Sequence, residues 1–188
     1  MKIGIYVYDK VEELDFIGPF EVLSYVNKIR PHTLEVILLS RKVKEIKAYN
    51  GLRFFSDKLI SQISEKDLDL LIFPGGKGRI DESKEAEVLK FIKKVYPNLK
   101  LIASVCTGAF FLGEAGLLEN KKGTTHKNAL EELKEKYKIE IIKEKIVKND
   151  QIWLSAGVSS GIDLSLEIVK EFFGEDLMEQ VRAEIEYK

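Results

Sequence analysis

The stretches "LDLLIFPGG" (68–76) and "KLIASVC" (100–106) are near-continuous apolar runs, too short for helices and without the alternation of a half-buried strand. A strand that is apolar on both faces has to be covered on both faces. Parallel sheets with crossover helices supply that cover, so these runs restrict the chain to an α/β architecture. The remaining segments fit the same scheme. "KIGIYVY" (2–8) and "LEVILLS" (34–40) read as strands, and 16–29 carries apolar residues at helical spacing with Pro19 placed in its first turn. The segment 41–57 reads as a hairpin turning at Asn50-Gly51, and 83–96 as an amphipathic helix with Val88, Phe91, Ile92 and Val95 on one face. Further helices are expected from 107 to about 115, over most of 124–137, and from 161 to 173. Two short strands are expected around 140–148 and 152–156. No linker or repeat interrupts the pattern, so residues 1–188 are expected to form one three-layer α/β domain.

Composition narrows the function classes. The 188 residues include 30 Lys and Arg against 31 Asp and Glu, a net charge of -1. That balance argues against nucleic acid as a partner, because phosphate binding relies on a clustered positive field. No stretch approaches the roughly 18 apolar residues that span a bilayer, and the first residues lack the pattern of a signal peptide. One cysteine forms no internal disulfide, which points to a reducing cytoplasm. One Cys and two His, His32 and His126, make no recognisable ligand cluster, so no metal is expected.

In parallel sheets ligands bind at the carboxyl ends of the strands. Three features fall there: the loop before Asp15, the pair Gly75-Gly76, and Cys106. "SVCTG" puts Cys106 between a buried strand and a helix, the setting of a nucleophile elbow, although Ser104 replaces the first glycine of the hydrolase version. Helix amides there would favour the thiolate. The alternative is a buried cysteine acting as a small hydrophobe. Asp15 reads either as a first-turn carboxylate or as an acid that reaches Cys106 and shares one proton with it, with Glu21 as the competing acid. Gly75 and Gly76 read either as a plain turn or as backbone donors approaching a substrate atom. His126 would orient a thiolate or cap the following helix. "SAGVSSGID" (155–163) reads as a capping turn with Asp163 near the helix start.

Together these residues resemble the ThiJ/PfpI family of the class I glutamine-amidotransferase-like superfamily. The resemblance rests on "GIYVYDKVEELDFIGPFEVL", "LLIFPGG", "ASVCTGAFFLGEAGLLENKKGTTH" and "SAGVSSGIDLSLEIV" in that order. "LDFIGPFEVL" and "SVCTGAFFLGEAGLL…TTH" are most similar to the isocyanide hydratase-like branch and to sensor domains of AraC-type regulators. The resemblance implies a flavodoxin-like sandwich, a homodimer, and a cofactor-independent enzyme acting on a small molecule. It makes Cys106 the nucleophile and Asp15 its acid, with Gly75, Gly76, Thr107 and His126 lining the site. Thr107 stands where peptidase-like members carry histidine, which counts against a Cys-His protease. Lys127 replaces the tryptophan of hydratase-like members. A glyoxalase- or deglycase-like activity and a non-enzymatic small-molecule or oxidation sensor are the rival readings. The latter would not bind DNA itself, because little chain follows the last expected helix.

Overall fold

A computed structural model describes residues 1–42 and 45–188. Val43 and Lys44, at the start of the expected hairpin, lie outside the described residues. A seven-stranded sheet is built from β1 (Lys2–Tyr6), β2 (Glu35–Ser40), β5 (Lys58–Leu59), β6 (Leu70–Phe73), β7 (Leu101–Val105), β10 (Ile146–Asn149) and β11 (Ile152–Ser155). Its order is β10-β11-β7-β6-β1-β2-β5, and only β10 runs antiparallel to its neighbour. The central strands β6, β7 and β11 are buried at every residue, as both-face coverage demands.

Helices cover both faces because the chain reverses direction along the sheet. From β1 it steps outward to β2 through α1 (Glu13–Ile29). It then returns past β1 to β6 and moves the other way, to β7 through α3 (Ala86–Val95). Right-handed crossovers put α1 and α3 on opposite faces. On the second face α4 (Ala109–Glu114) and α5 (Leu130–Tyr137) follow α3, while α6 (Ser160–Phe173) and α7 (Glu175–Glu184) pack with α1 on the first. The result is the flavodoxin-like sandwich, with its switch point between β1 and β6. Tyr6, Tyr8, Phe73 and Phe111 fill the space behind that point, with ring centroids 5.0–6.0 Å apart.

The expected hairpin exists as β3 (Ile46–Lys47) paired antiparallel with β4 (Arg53–Phe54). A second small pair joins β8 (Lys122–Gly123) to β9 (Glu140–Ile141) in parallel. Three helix expectations change. α1 begins at Glu13, not Phe16, because the acids Glu13 and Asp15 suit the positive end of a helix although they break the apolar pattern. Pro19 therefore sits in the second turn, where its ring cannot donate to the Asp15 carbonyl four residues back. The expected helix 83–96 shortens to α3, and an unexpected single turn, α2 (Arg79–Glu82), precedes it. α7, after Gly174, was not expected at all. Among the described residues no helix is long and apolar enough to cross a membrane.

Candidate active site

Cys106 directly follows β7 with φ 56°, a left-handed conformation uncommon for a residue with a side chain. Neighbouring segments hold it there. Its N–H donates to the Ala156 carbonyl at 2.9 Å, and its own carbonyl accepts from the Thr125 hydroxyl at 2.7 Å. The chain then enters a 3-10 turn, Cys106–Gly108, that opens α4. A side chain at Gly108 would collide with the Phe73 carbonyl, so only glycine lets this turn press onto the end of β6. The geometry is that of an elbow, with the cysteine 6% exposed.

Asp15 reaches the same place from the first turn of α1 and is fully buried. Its Oδ2 accepts the Gly75 N–H at 2.9 Å, while Oδ1 has no hydrogen-bond partner among the described residues. The Gly76 N–H donates to Thr107 Oγ1 at 3.1 Å. Both glycine amides are thus engaged within the protein. They fix the acid and the threonine and are not left to meet a substrate, in contrast to the donor-pair expectation. Gly75 is the keystone. A Cβ there would lie 2.6 Å from the Thr107 nitrogen and 2.8 Å from Asp15 Oδ2, so any side chain would push the two halves of the site apart. Glu21, the competing acid, is exposed to solvent and takes no part.

Burial governs the electrostatics. It raises the Asp15 carboxyl from 3.8 to about 7, against the Gly75 amide and the thiol, which favour ionisation, and with a smaller push from Glu12. Burial followed by the Asp15 charge pushes the Cys106 thiol up to about 12. The backbone amides of Thr107 and Val158 pull it down but do not compensate. The expected preference for thiolate is outweighed because the helix amides act on a desolvated group beside another acid. Two negative charges do not coexist here: below about pH 7 both groups are protonated, and above it the pair holds one proton between them. Tyr8 closes one side, its buried hydroxyl donating to the Pro74 carbonyl at 2.9 Å. Burial, then the charges of Asp15 and Cys106, hold that phenol well above its ordinary range, and it stays neutral.

Val158 escaped the sequence reading, which saw only a capping turn in "SAGVSSGID". Its φ of 44° is unusual for a β-branched residue and coincides with the turn of its amide toward Cys106. The available signal was that this glycine-containing turn follows a strand, as the elbow does. Asp163, in the first turn of α6, makes an ion pair with Lys145 at 3.1 Å and forms no side-chain cap. His126 caps: its Nδ1 accepts the Asn128 N–H at 3.3 Å, and its ring lies against Gly157. The structure gives it no hydrogen bond to Cys106. Among the described residues no group of three or more His, Cys, Asp or Glu is arranged to hold a metal ion.

The sequence matches the DJ-1/PfpI family over residues 1–171. The chain belongs to that family. An isonitrile hydratase of Pseudomonas putida is 28% identical over 187 residues, covering all of this chain and 78% of the relative. A deglycase of Pyrococcus abyssi is 25% identical over 126 residues, 67% of this chain and 72% of the relative. The chain spans less than half of the protein DJ-1 homolog A of Arabidopsis thaliana, at 26% identity. Among solved structures, a ThiJ/PfpI family protein from Pseudomonas syringae superposes with a TM-score of 0.90 at 25% identity, over all of this chain and 75% of that one. An AraC family transcriptional regulator from Pseudomonas putida, at 21% identity, shares the fold with a TM-score of 0.87 over 98% of both chains. This DJ-1/PfpI fold thus carries both enzymes and regulators.

Proposed function

We propose that this DJ-1/PfpI protein is an isocyanide hydratase, converting an isocyanide and water to an N-formamide with Cys106 as nucleophile and Asp15 as general acid and base. The observation that carries the reading is the buried Asp15 carboxyl, oriented by the Gly75 amide and sharing one proton with a thiol at an elbow. The similarity to an isonitrile hydratase along the whole chain supports it. In the reactive form the proton is on Asp15 and the sulfur is a thiolate, steadied by the amides of Thr107 and Val158. Sulfur attacks the terminal isocyanide carbon, and Asp15 gives that carbon its proton, forming a thioimidate. The resulting carboxylate takes a proton from water as the hydroxide adds to carbon, and passes that proton to nitrogen. The C–S bond then breaks. The thiolate leaves, the hydroxyl proton returns to Asp15, and the formamide departs.

The experiment is consumption of an aromatic isocyanide by wild type, Cys106→Ala and Asp15→Asn. Turnover lost in both variants supports the assignment. A folded wild type that alkylates at Cys106 but leaves isocyanide untouched would discard it and bring reactive carbonyl substrates forward, as the similarity to a deglycase suggests.

The same reading includes a homodimer. Leu14 and Ile17 stand exposed on α1 beside Tyr49 and Leu52 of the hairpin, which the Glu13 carboxylate ties to α1 through the amides of Asn50 and Leu52. A second copy covering this apolar patch would lie next to the Asp15 end of the site.

A further inference from the structure

The Ala156–Val158 segment helps to wall a groove of about 480 Å³ that neither Cys106 nor Asp15 lines. Two hydroxyls face it from nearly complete burial, Thr124 at 2% and Ser160 at 5% exposure. Neither forms a hydrogen bond among the described residues, whereas the adjacent Thr125 hydroxyl is spent on the Cys106 carbonyl. Neither oxygen is among the fully buried polar atoms that lack a partner, so solvent reaches both and each is free to donate to a ligand in the groove. A third donor stands beside them. Because His126 Nδ1 accepts the Asn128 N–H, its proton sits on Nε2, which makes no hydrogen bond.

Charge specifies the acceptor. Lys127, Lys143 and Glu144 line the rim without ion pairs among the described residues, and Lys145 is neutralised by Asp163 at 3.1 Å. The balance is one net positive charge, which suits a monoanion better than a phosphate dianion. The start of α6 adds no free donor, since the amides of Ser160 and Gly161 bond to the carbonyls of Gly157 and Val158. Leu130, Ala156 and Val158 supply apolar walls. We propose that this groove binds a small carboxylate with an apolar body. Its carboxyl oxygens would take the hydroxyls of Thr124 and Ser160 and the His126 Nε2–H, near Lys143 and Lys127. Cys106 does not line this groove, although Thr125, Ala156 and Val158 of its wall also hold Cys106, and binding there does not require the hydration chemistry.

The test is an amide NMR titration of the whole protein with sodium benzoate, with benzamide and inorganic phosphate as parallel arms. Saturable shifts at Thr124, His126 and Ser160 are expected, with benzamide at least about tenfold weaker because it loses the charge-assisted hydrogen bonds, and phosphate weaker because it lacks the apolar body. Ser160→Ala is expected to weaken benzoate about tenfold. Lys143→Gln, an exposed change that spares the fold, should weaken it a few-fold. Cys106→Ala should bind as wild type does. The proposal is overturned if nothing saturates, if benzamide binds as well as benzoate, or if Cys106→Ala abolishes binding. Isocyanide turnover is read separately, so failure of the hydration reading leaves this result standing.

Discussion

Asp15 is the residue on which chemistry and stability pull in opposite directions. Folded, its carboxyl keeps a proton up to about 7; unfolded, it releases it near 3.8. Between those values the folded chain binds more protons, so this group's contribution to stability falls as pH rises through the window. Asp15→Asn is therefore expected to be more stable than wild type at pH 8, by up to about 4 kcal/mol, with the gap closing below pH 4. Urea unfolding at both pH values checks it. If the proposed hydration chemistry operates, the same titration sets activity, since the carboxyl and thiol together must lose one proton to react. On the hydration reading, kcat/KM for isocyanide should rise with pH through a midpoint near 7, level off about one unit above it, and fall only in strongly alkaline solution. Gly75→Ala should cost about 1–3 kcal/mol from overpacking, with a larger loss of turnover, because the intruding methyl meets both Asp15 and Thr107. Cys106 and Asp15 were legible in the sequence because strand ends and helix starts leave local marks. The roles of Gly75 and Val158 were not. Whether an amide faces inward or toward a substrate depends on which segment lies opposite, and no local pattern records that.

At the level of elements, the position of Asp15 is set by how closely α1 and α6 approach. A Cβ on Gly161 would come within 3.2 Å of both Pro19 Cδ and Val105 Cγ1, and one on Gly18 within 3.2 Å of Ile162 Cγ1. The two helices meet over the end of β7 without room for another side chain. Gly161→Leu is expected to separate them, lowering the thermal midpoint and reducing kcat more than it raises KM, as calorimetry and steady-state kinetics would report. The apolar strands were readable because burial on both faces leaves no ambiguity. α1 was read as starting late because its first turn is acidic. α7 was missed because only Leu177, Met178 and Val181 of its ten residues are buried, and its cover comes from α6 and α1.

The whole molecule places Cys106 and Asp15 beside the switch point while leaving an apolar patch at the same end. If the proposed dimer forms through this patch, wild type is expected to elute as a dimer and Ile17→Lys as a folded monomer in size-exclusion chromatography with light scattering. An unchanged elution volume would remove the patch from the assembly. The α/β sandwich could be read from alternation alone, but the patch could not, since Leu14 and Ile17 look like core residues until the helix is docked.

Cys106 leans on Thr125, Ala156 and Val158, all later in the chain. A polypeptide emerging residue by residue thus carries its thiol for some fifty positions before the segment that completes the thiol's surroundings exists. The pairing of thiol and carboxyl therefore arrives only with the final third of synthesis, and until then Cys106 is an ordinary solvated thiol, more readily ionised than in the finished fold. Pulse alkylation of chains stalled before and after residue 158 would record the moment at which the cysteine acquires its chemical character.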